Sequence, residues 1–224
     1  MPRTLPRPIT YLITGGETTD ATRASSEEFR RLLALIRSAV AARVTLVQLR
    51  EKNLSGRVLY ELASAAAELA RGSATRVLVN DRADIARAAA CDGVHLTADS
   101  LHARVVRRAF GEDFLIGVST HALEEAREAH AGGADFAVFG PVFDTPSKRA
   151  YGPPVGLEAL GTAARELKAF PVVALGGVSL ENAAEVLGAG AAGIAGIRLF
   201  ADGQSLAPTV HLIGRASSGQ NYPR

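Results

Sequence analysis

VTLVQLREKNLSGRVLYELASAAAELAR, Val44 to Arg71, changes its periodicity half way along. Up to Leu49 it reads as a short, nearly continuous apolar run, the pattern of a strand buried on both faces. From Gly56 the apolar residues fall on helical spacing, with Arg57, Glu61 and Glu68 between them. The polar cluster QLREK marks the change. The segment is therefore a strand, a polar exit and a helix.

The same unit recurs. Apolar runs rich in β-branched residues are ITYLIT from Ile9, VTLVQLR from Val44, RVLVN from Arg76, DGVHL from Asp92, FLIGVS from Phe114, DFAVFG from Asp135, PVVALGG from Pro171 and GIAGIRL from Gly193. Between them lie helix patterns near Ser26 to Ala42, Gly56 to Arg71, Ala83 to Ala90, Leu101 to Phe110, Ala122 to Ala131, Leu157 to Leu167 and Leu180 to Ala189, with a last one over Leu206 to Ile213. Strands alternating with helices build parallel sheets through right-handed crossovers. Eight such units predict a single-domain α/β fold, a closed (β/α)8 TIM barrel over 9–215, with flexible ends at 1–8 and 216–224. A doubly wound open sheet would have fewer strands and a glycine-rich turn after the first, whereas Gly15-Gly16 lack the GxGxxG spacing.

Composition agrees with one core. The chain has 224 residues, 47% of them apolar, and a formal charge of +2. Its arginines are interleaved with acids along the helix patterns, which argues against a nucleic-acid surface. Cys91 is the only cysteine, so no intrachain disulfide forms, and it reads as a small buried hydrophobe. The N-terminal MPRTLPRPIT holds three prolines and no signal-like apolar stretch, and no run is long enough to span a bilayer. A reducing, cytoplasmic setting is expected.

Barrel chemistry sits at the C-terminal ends of the strands. Those positions carry Gln48, Arg50, Glu51 and Lys52 after the second run; Asn80, Asp81 and Arg82 after the third; and His95, then Asp99 and Ser100, at the fourth. Ser119 and His121 end the fifth, GPVFDTPSK follows the sixth, Gly176-Gly177 the seventh and Arg198 the eighth. Arg50 and Lys52 suit an anion, unless Arg50 pairs with Glu51 or Asp81. GGVSLEN suits phosphate, its glycines admitting backbone N–H groups and a helix from about Ser179, a plausible N-cap, adding its positive end. The glycines serve equally well for a tight turn alone. Asp81 beside Asn80 suits Mg2+ through oxygen, or else pairs with Arg82 or Arg50. His95 reads as a satisfied core histidine. No Ser-His-Asp or Cys-His nucleophile arrangement emerges.

Taken together, QLREK, VNDRAD, DGVHL, GVSTH, GPVFDTPSK and ALGGVSLEN resemble, in this order, the thiamine phosphate synthase family from about Ile9 to Phe200. The resemblance implies a (β/α)8 barrel that joins hydroxymethylpyrimidine diphosphate to thiazole phosphate, releasing pyrophosphate, with Mg2+ on the leaving group. It implies that Gln48, Arg50, Lys52, Asn80 and His95 surround the pyrimidine diphosphate, that Asp81 holds Mg2+, that Ser119 lies beside the reacting pyrimidine and that Lys148 reaches its diphosphate. Arg50, Ser119 and Lys148 are thus the catalytic candidates. Thr145 and Ser147 would meet the thiazole phosphate, with backbone groups at Gly177 and after Ile197. In TADS the place of the family's second acid falls on Ser100, with Asp99 next to it. IRLF places Arg198 where a small residue is usual, either adding charge or narrowing the phosphate site. A relative of the same fold, the thiazole tautomerase, resembles this chain at Ser119 to His121, with His121 as its acid/base; a barrel that binds phosphorylated precursors without catalysis is the third reading. The partners expected are small phosphorylated pyrimidine and thiazole molecules, with a second copy of the chain left open as a homo-oligomer partner, and neither nucleic acid nor membrane.

Overall fold

A computed structural model describes residues 4–145 and 153–219. The strands are β1 (Ile9–Ile13), β2 (Leu46–Leu49), β3 (Arg76–Asn80), β4 (Gly93–Leu96), β5 (Leu115–Thr120), β6 (Phe136–Phe139), β7 (Val172–Leu175) and β8 (Gly193–Gly196). Each is followed by its helix: α1 (Glu27–Ala41), α2 (Gly56–Ala70), α3 (Ala83–Ala88), α4 (Ala103–Phe110), α5 (Leu123–Ala131), α6 (Gly156–Glu166), α7 (Ala183–Gly188) and α8 (Leu206–Ser217). Every strand pairs in parallel with its sequence neighbours, and β8 closes on β1 through Ile9↔Gly193 to Leu12↔Gly196. This is the closed (β/α)8 barrel that the repeated units predict.

Alternation along the strands separates two cores. Leu12, Val47, Val77, Val79, Val94, Ile116 and Ala137 face the helix ring. Ile9, Tyr11, Ile13, Leu46, Leu78, Leu115, Phe136, Val138 and Val173 fill the barrel, with Leu5 packed against them. Leu5 belongs to the segment expected to be flexible; its apolar contact holds it at the start of β1. At the other end of the chain α8 continues through Ser217, four residues past the Ile213 limit read from the periodicity.

The end opposite the strand exits is closed by polar clamps. Arg107 on α4 donates to the carbonyls of Gly111, Phe114 and Gly133 and to Asp135 Oδ2 at 2.7–3.0 Å, while Asp135 Oδ2 accepts from Ile116 N at 2.6 Å. One guanidinium, mostly buried, thus ties α4 to the starts of β5 and β6. Such multi-donor use is what arginine's rigid fork allows. Asp92 does a similar task between β3 and β4, accepting from Val77 N at 2.9 Å.

Inside the barrel Gly117 is fixed by space. A Cβ there would lie 2.3 Å from Phe136 Cζ and 2.8 Å from His95 Nδ1. We expect Gly117→Ala to cost roughly 1–3 kcal/mol through overpacking, read as a lower urea midpoint; a midpoint equal to the parent's would show the interior to be slack at this layer.

Candidate active site

The β1 and β2 exits are knitted together by side chains. Thr14 N donates to Gln48 O at 3.0 Å, and Arg50 N donates to Thr14 Oγ1 at 2.8 Å. Glu51, only 3% exposed, accepts from Gly16 N at 3.2 Å, from Thr18 N at 3.3 Å and from Thr18 Oγ1 at 2.7 Å. Its carboxylate holds the β1–α1 loop and makes no ion pair with Arg50, contrary to the alternative read from sequence. Among the described residues Arg50 has no carboxylate within ion-pair distance, and Lys52 is exposed.

Gln48, two residues after the inward-facing Leu46, is 1% exposed, and its Nε2 has no partner among the described residues. A buried amide N–H without an acceptor costs about 1–3 kcal/mol. An acceptor on a ligand would remove that penalty.

Asn80, the last residue of β3, is half-buried, and Asp81 after it turns into the left-handed region at φ 61°. Asp tolerates that conformation better than most residues. Asp81 N donates to His95 O at 2.9 Å, which anchors the turn to β4. Arg82 gives its fork to Asp84, with Nε–Oδ1 2.9 Å and Nη2–Oδ2 2.6 Å, and that bond holds the Asp84 carboxyl below its usual range. The expected alternative of Asp81 paired with Arg82 or Arg50 does not form as a direct contact; Asp81 acts on Arg82 only as a nearby charge. The Asp81 carboxylate is exposed and makes no hydrogen bond or ion pair among the described residues.

β4 and β5 bring His95 and Ser119 together. His95 is 2% exposed; its Nε2 meets Ser119 Oγ at 2.9 Å and its Nδ1 meets the Tyr11 hydroxyl at 3.2 Å. Burial drives its pKa down to about 3, and pushes the Tyr11 phenol well above its ordinary value. Both are neutral near pH 7. His95 is the satisfied core histidine read from the sequence, and it also touches a rim residue. Tyr11 was missed: within ITYLIT it reads only as an apolar position of a strand, although a phenol at an inward position needs a polar partner.

In the β4–α4 turn Thr97 N donates to Ser100 Oγ at 2.8 Å, and the two hydroxyls lie 3.1 Å apart. Ser100 thus spends its side chain on the turn, and Asp99 is exposed beside it. His121 is also exposed; its N donates to Glu125 Oε2 at 2.7 Å, and its Nδ1 lies 3.3 Å from the same oxygen. Among the described residues no three His, Cys, Asp or Glu side chains gather into a metal cluster.

The β6 and β7 exits lie against each other. Val142 N donates to Leu175 O at 2.8 Å and Phe143 N to Gly176 O at 3.0 Å. Gly176 and Gly177 have φ +95° and +65°, and a Cβ on them would come within 2.5 Å of Pro141 Cβ and 2.6 Å of Phe143 Cβ. Only glycine satisfies both demands. α7 starts at Ala183, not near Ser179, so the expected serine cap and helix end beside the glycines are absent. Asn182 replaces them: its Oδ1 accepts from Ser179 N at 2.9 Å and its Nδ2 donates to Gly177 O at 3.0 Å. Thr145 is half-buried with Oγ1 donating to Phe143 O at 3.1 Å. Ile197 packs on the barrel interior and Arg198 is exposed at the start of a 3-10 turn, Arg198–Phe200. Ser147 and Lys148 lie outside the described residues. Cys91 is buried, its thiol pushed up to about 12 by desolvation, as suits a structural residue.

The rim therefore offers a buried amide donor without an acceptor, an arginine without an ion pair and a carboxylate without a hydrogen bond among the described residues, on neighbouring strands. The profile described as thiamine monophosphate synthase matches residues 11–200. The chain belongs to the thiamine monophosphate synthase family. A relative from Geobacter sulfurreducens is 51% identical over 166 residues, covering 74% of this chain and 78% of that one. The thiamine-phosphate synthase of Moorella thermoacetica is 44% identical over 165 residues, again 74% of this chain and 78% of that one. Among solved structures, thiamine phosphate pyrophosphorylase from Pyrococcus furiosus superposes with a TM-score of 0.73 at 30% identity, covering 92% of this chain and 96% of that one. The family match starts at Tyr11 and ends at Phe200, so it takes in every rim residue described above.

Burial of neutral His95 has a consequence for stability. Its pKa falls from an ordinary 6.5 to about 3 on folding, so between these values the unfolded chain binds a proton that the folded chain does not. The stabilisation is complete above the upper value and is lost as pH falls toward the lower, at about 1.4 kcal/mol per pH unit. In urea titrations at about pH 7.5 and about pH 4.5, His95→Gln should lose less stability between the two than the parent, by roughly 2–3 kcal/mol; equal losses would mean that His95 is protonated in the folded chain.

Proposed function

We propose that the rim is the active site of a thiamine phosphate synthase, a transferase of thiamine biosynthesis that joins hydroxymethylpyrimidine diphosphate to thiazole phosphate and releases pyrophosphate. The family match carries the activity. The observation that carries the site is the unpartnered Gln48 amide nitrogen, two residues before an arginine with no counter-ion among the described residues. A buried donor suits a pyrimidine or phosphate acceptor, and an unpaired arginine suits the diphosphate.

The chemistry follows from charge. When the carbon–oxygen bond breaks, its electron pair leaves with pyrophosphate and a pyrimidine-stabilised cation remains; the thiazole nitrogen then donates its lone pair to that carbon. Negative charge concentrates on the leaving oxygen, so Arg50, Lys52 and Lys148 would stabilise the transition state more than the ground state. Gln48 and Asn80 would hold the pyrimidine end, with the Ser119 hydroxyl beside the reacting carbon and His95 behind it, its two ring nitrogens engaged by Tyr11 and Ser119. Thr145, Ser147, the Gly177 backbone and the N–H groups after Ile197 would hold the thiazole phosphate, with Arg198 adding charge. Holding the nitrogen and the carbon in line supplies the remaining acceleration. No protein nucleophile takes part.

The donor set fits Mg2+ that arrives with its substrate. Magnesium commonly takes one or two protein carboxylates and completes its shell with phosphate oxygens and water. Asp81 provides one exposed carboxylate after β3, and Asp99, or Ser100 through a water, would add a second oxygen from the turn after β4. Such an ion would supply positive charge to the departing diphosphate. Small phosphorylated substrates suit a cytoplasmic enzyme, and no helix among the described residues is long and apolar enough to cross a membrane.

Purified protein incubated with both substrates and Mg2+ should form thiamine phosphate and pyrophosphate in equal amounts. Absence of product where a reference synthase turns over would overturn the assignment, and isomerisation of the thiazole without coupling would make it a tautomerase. Asp81→Ala should raise the Mg2+ concentration needed for half-maximal rate by roughly 10–100-fold, followed by pyrophosphate release. Lys148→Ala should lower kcat by about 10²-fold at saturating substrates; an unchanged kcat would remove Lys148 from the leaving-group site.

A further inference from the structure

Tyr11, His95 and Ser119 form a continuous hydrogen-bonded chain from the middle of the barrel to its rim, with contacts of 3.2 Å and 2.9 Å. The direction of that chain decides what Ser119 offers a ligand. A serine 2.9 Å from a histidine nitrogen looks like a nucleophile beside its base. Proton accounting gives the opposite answer.

The Tyr11 hydroxyl is buried, and among the described residues its one polar neighbour is His95 Nδ1. If Nδ1 carried the proton, the phenol would accept it and its own O–H would be left buried without an acceptor. Buried donors are rarely left in that state. If the phenol donates instead, Nδ1 is the bare nitrogen, the imidazole proton sits on Nε2, and Ser119 Oγ accepts from it. The serine's own hydrogen is then free to point away from His95. Packing keeps the rings in place: Phe136 meets Tyr11 edge-on with centroids 5.6 Å apart, and the missing Cβ of Gly117 leaves room for both His95 and Phe136.

We propose that Tyr11 and His95 are positioning residues whose chain runs from phenol to Nδ1 and from Nε2–H to Ser119 Oγ, turning the serine O–H outward as a donor to a lone-pair acceptor of the bound pyrimidine diphosphate. Ser119 is then a donor to substrate and not a nucleophile, and His95 holds it without taking its proton. The inference rests on the reading of Ser119 as a residue beside the pyrimidine, and adds the sense of its hydrogen bond.

The test uses the full chain labelled with 15N-histidine. Of the five histidines, His95 is assigned as the one whose resonances vanish in His95→Gln. At neutral pH its long-range proton–nitrogen pattern should show a protonated Nε2 and a bare Nδ1. In Tyr11→Phe that bias should be lost, and kcat should fall roughly tenfold or more, with a smaller change in KM for the pyrimidine diphosphate. His95→Gln keeps an acceptor for Tyr11 and an N–H for Ser119, so it should retain far more kcat than His95→Leu, which should fall to the Ser119→Ala level. A protonated Nδ1 in the parent, an unchanged tautomer in Tyr11→Phe, or equal rates for the Gln and Leu variants would each overturn the proposal. The spectra also report folding of each variant. A parent that makes no thiamine phosphate but shows the expected tautomer would overturn the functional reading and leave the direction of the chain intact.

Discussion

Closure of eight parallel strands puts every strand exit on one rim, and most of the remaining structure answers that constraint. Within the barrel each backbone group is paired with a neighbouring strand; at the rim the pairing stops and something else must satisfy it. Side chains do so here. Thr14 takes the Arg50 N–H, Glu51 takes two N–H groups of the β1–α1 loop, and Asn182 both donates and accepts within the β7–α7 loop. The groups left over after that accounting, the Gln48 amide and the Arg50 guanidinium, are the ones proposed to meet a ligand.

A second gradient runs along the barrel axis. The lower layers are filled by Ile9, Leu46, Leu78, Leu115 and Phe136, while the positions two residues further along β2 and β3 are Gln48 and Asn80. His95 and Tyr11 stand at the boundary, neutral because burial penalises charge. Among the described residues of the rim, cationic groups stand beyond it, at Arg50, Lys52, Arg82 and Arg198. In the proposed reaction, charge developing on a leaving diphosphate would meet cations near solvent, while the uncharged ring of a pyrimidine would meet neutral polar groups. The division matches a substrate with one polar neutral end and one strongly anionic end.

Strands buried on both faces announce themselves as continuous apolar runs, so the barrel and its rim were legible from the sequence. The rim positions followed from topology alone: Gln48, Arg50, Asp81 and Ser119 stand at the ends of such runs. Less legible was who pairs with whom. Glu51 and Arg82 turn to Thr18 and Asp84, partners that no periodicity ranks above Arg50 or Asp81. The start of α7 was misplaced because Ser179 has the chemistry of a cap, whereas Gly176 and Gly177 take left-handed φ values against Pro141 and Phe143, and Asn182 organises a loop that runs on to the helix start at Ala183. Tyr11 was hidden by its apolar neighbours, since a pattern of hydrophobicity does not register a hydroxyl that needs an acceptor.

Leu5 and the packed layer above it give the barrel a floor. A vessel with one mouth has traffic rules: whatever binds deepest enters first, and whatever binds nearest the opening must clear before the deeper occupant can leave. If the pyrimidine lies over His95 and the thiazole closer to the β6–β8 exits, a thiazole that arrives early obstructs its own co-substrate. The order in which substrates add, and inhibition by excess of the outer one, would then be set by a sealed base at the end of the molecule opposite the proposed site.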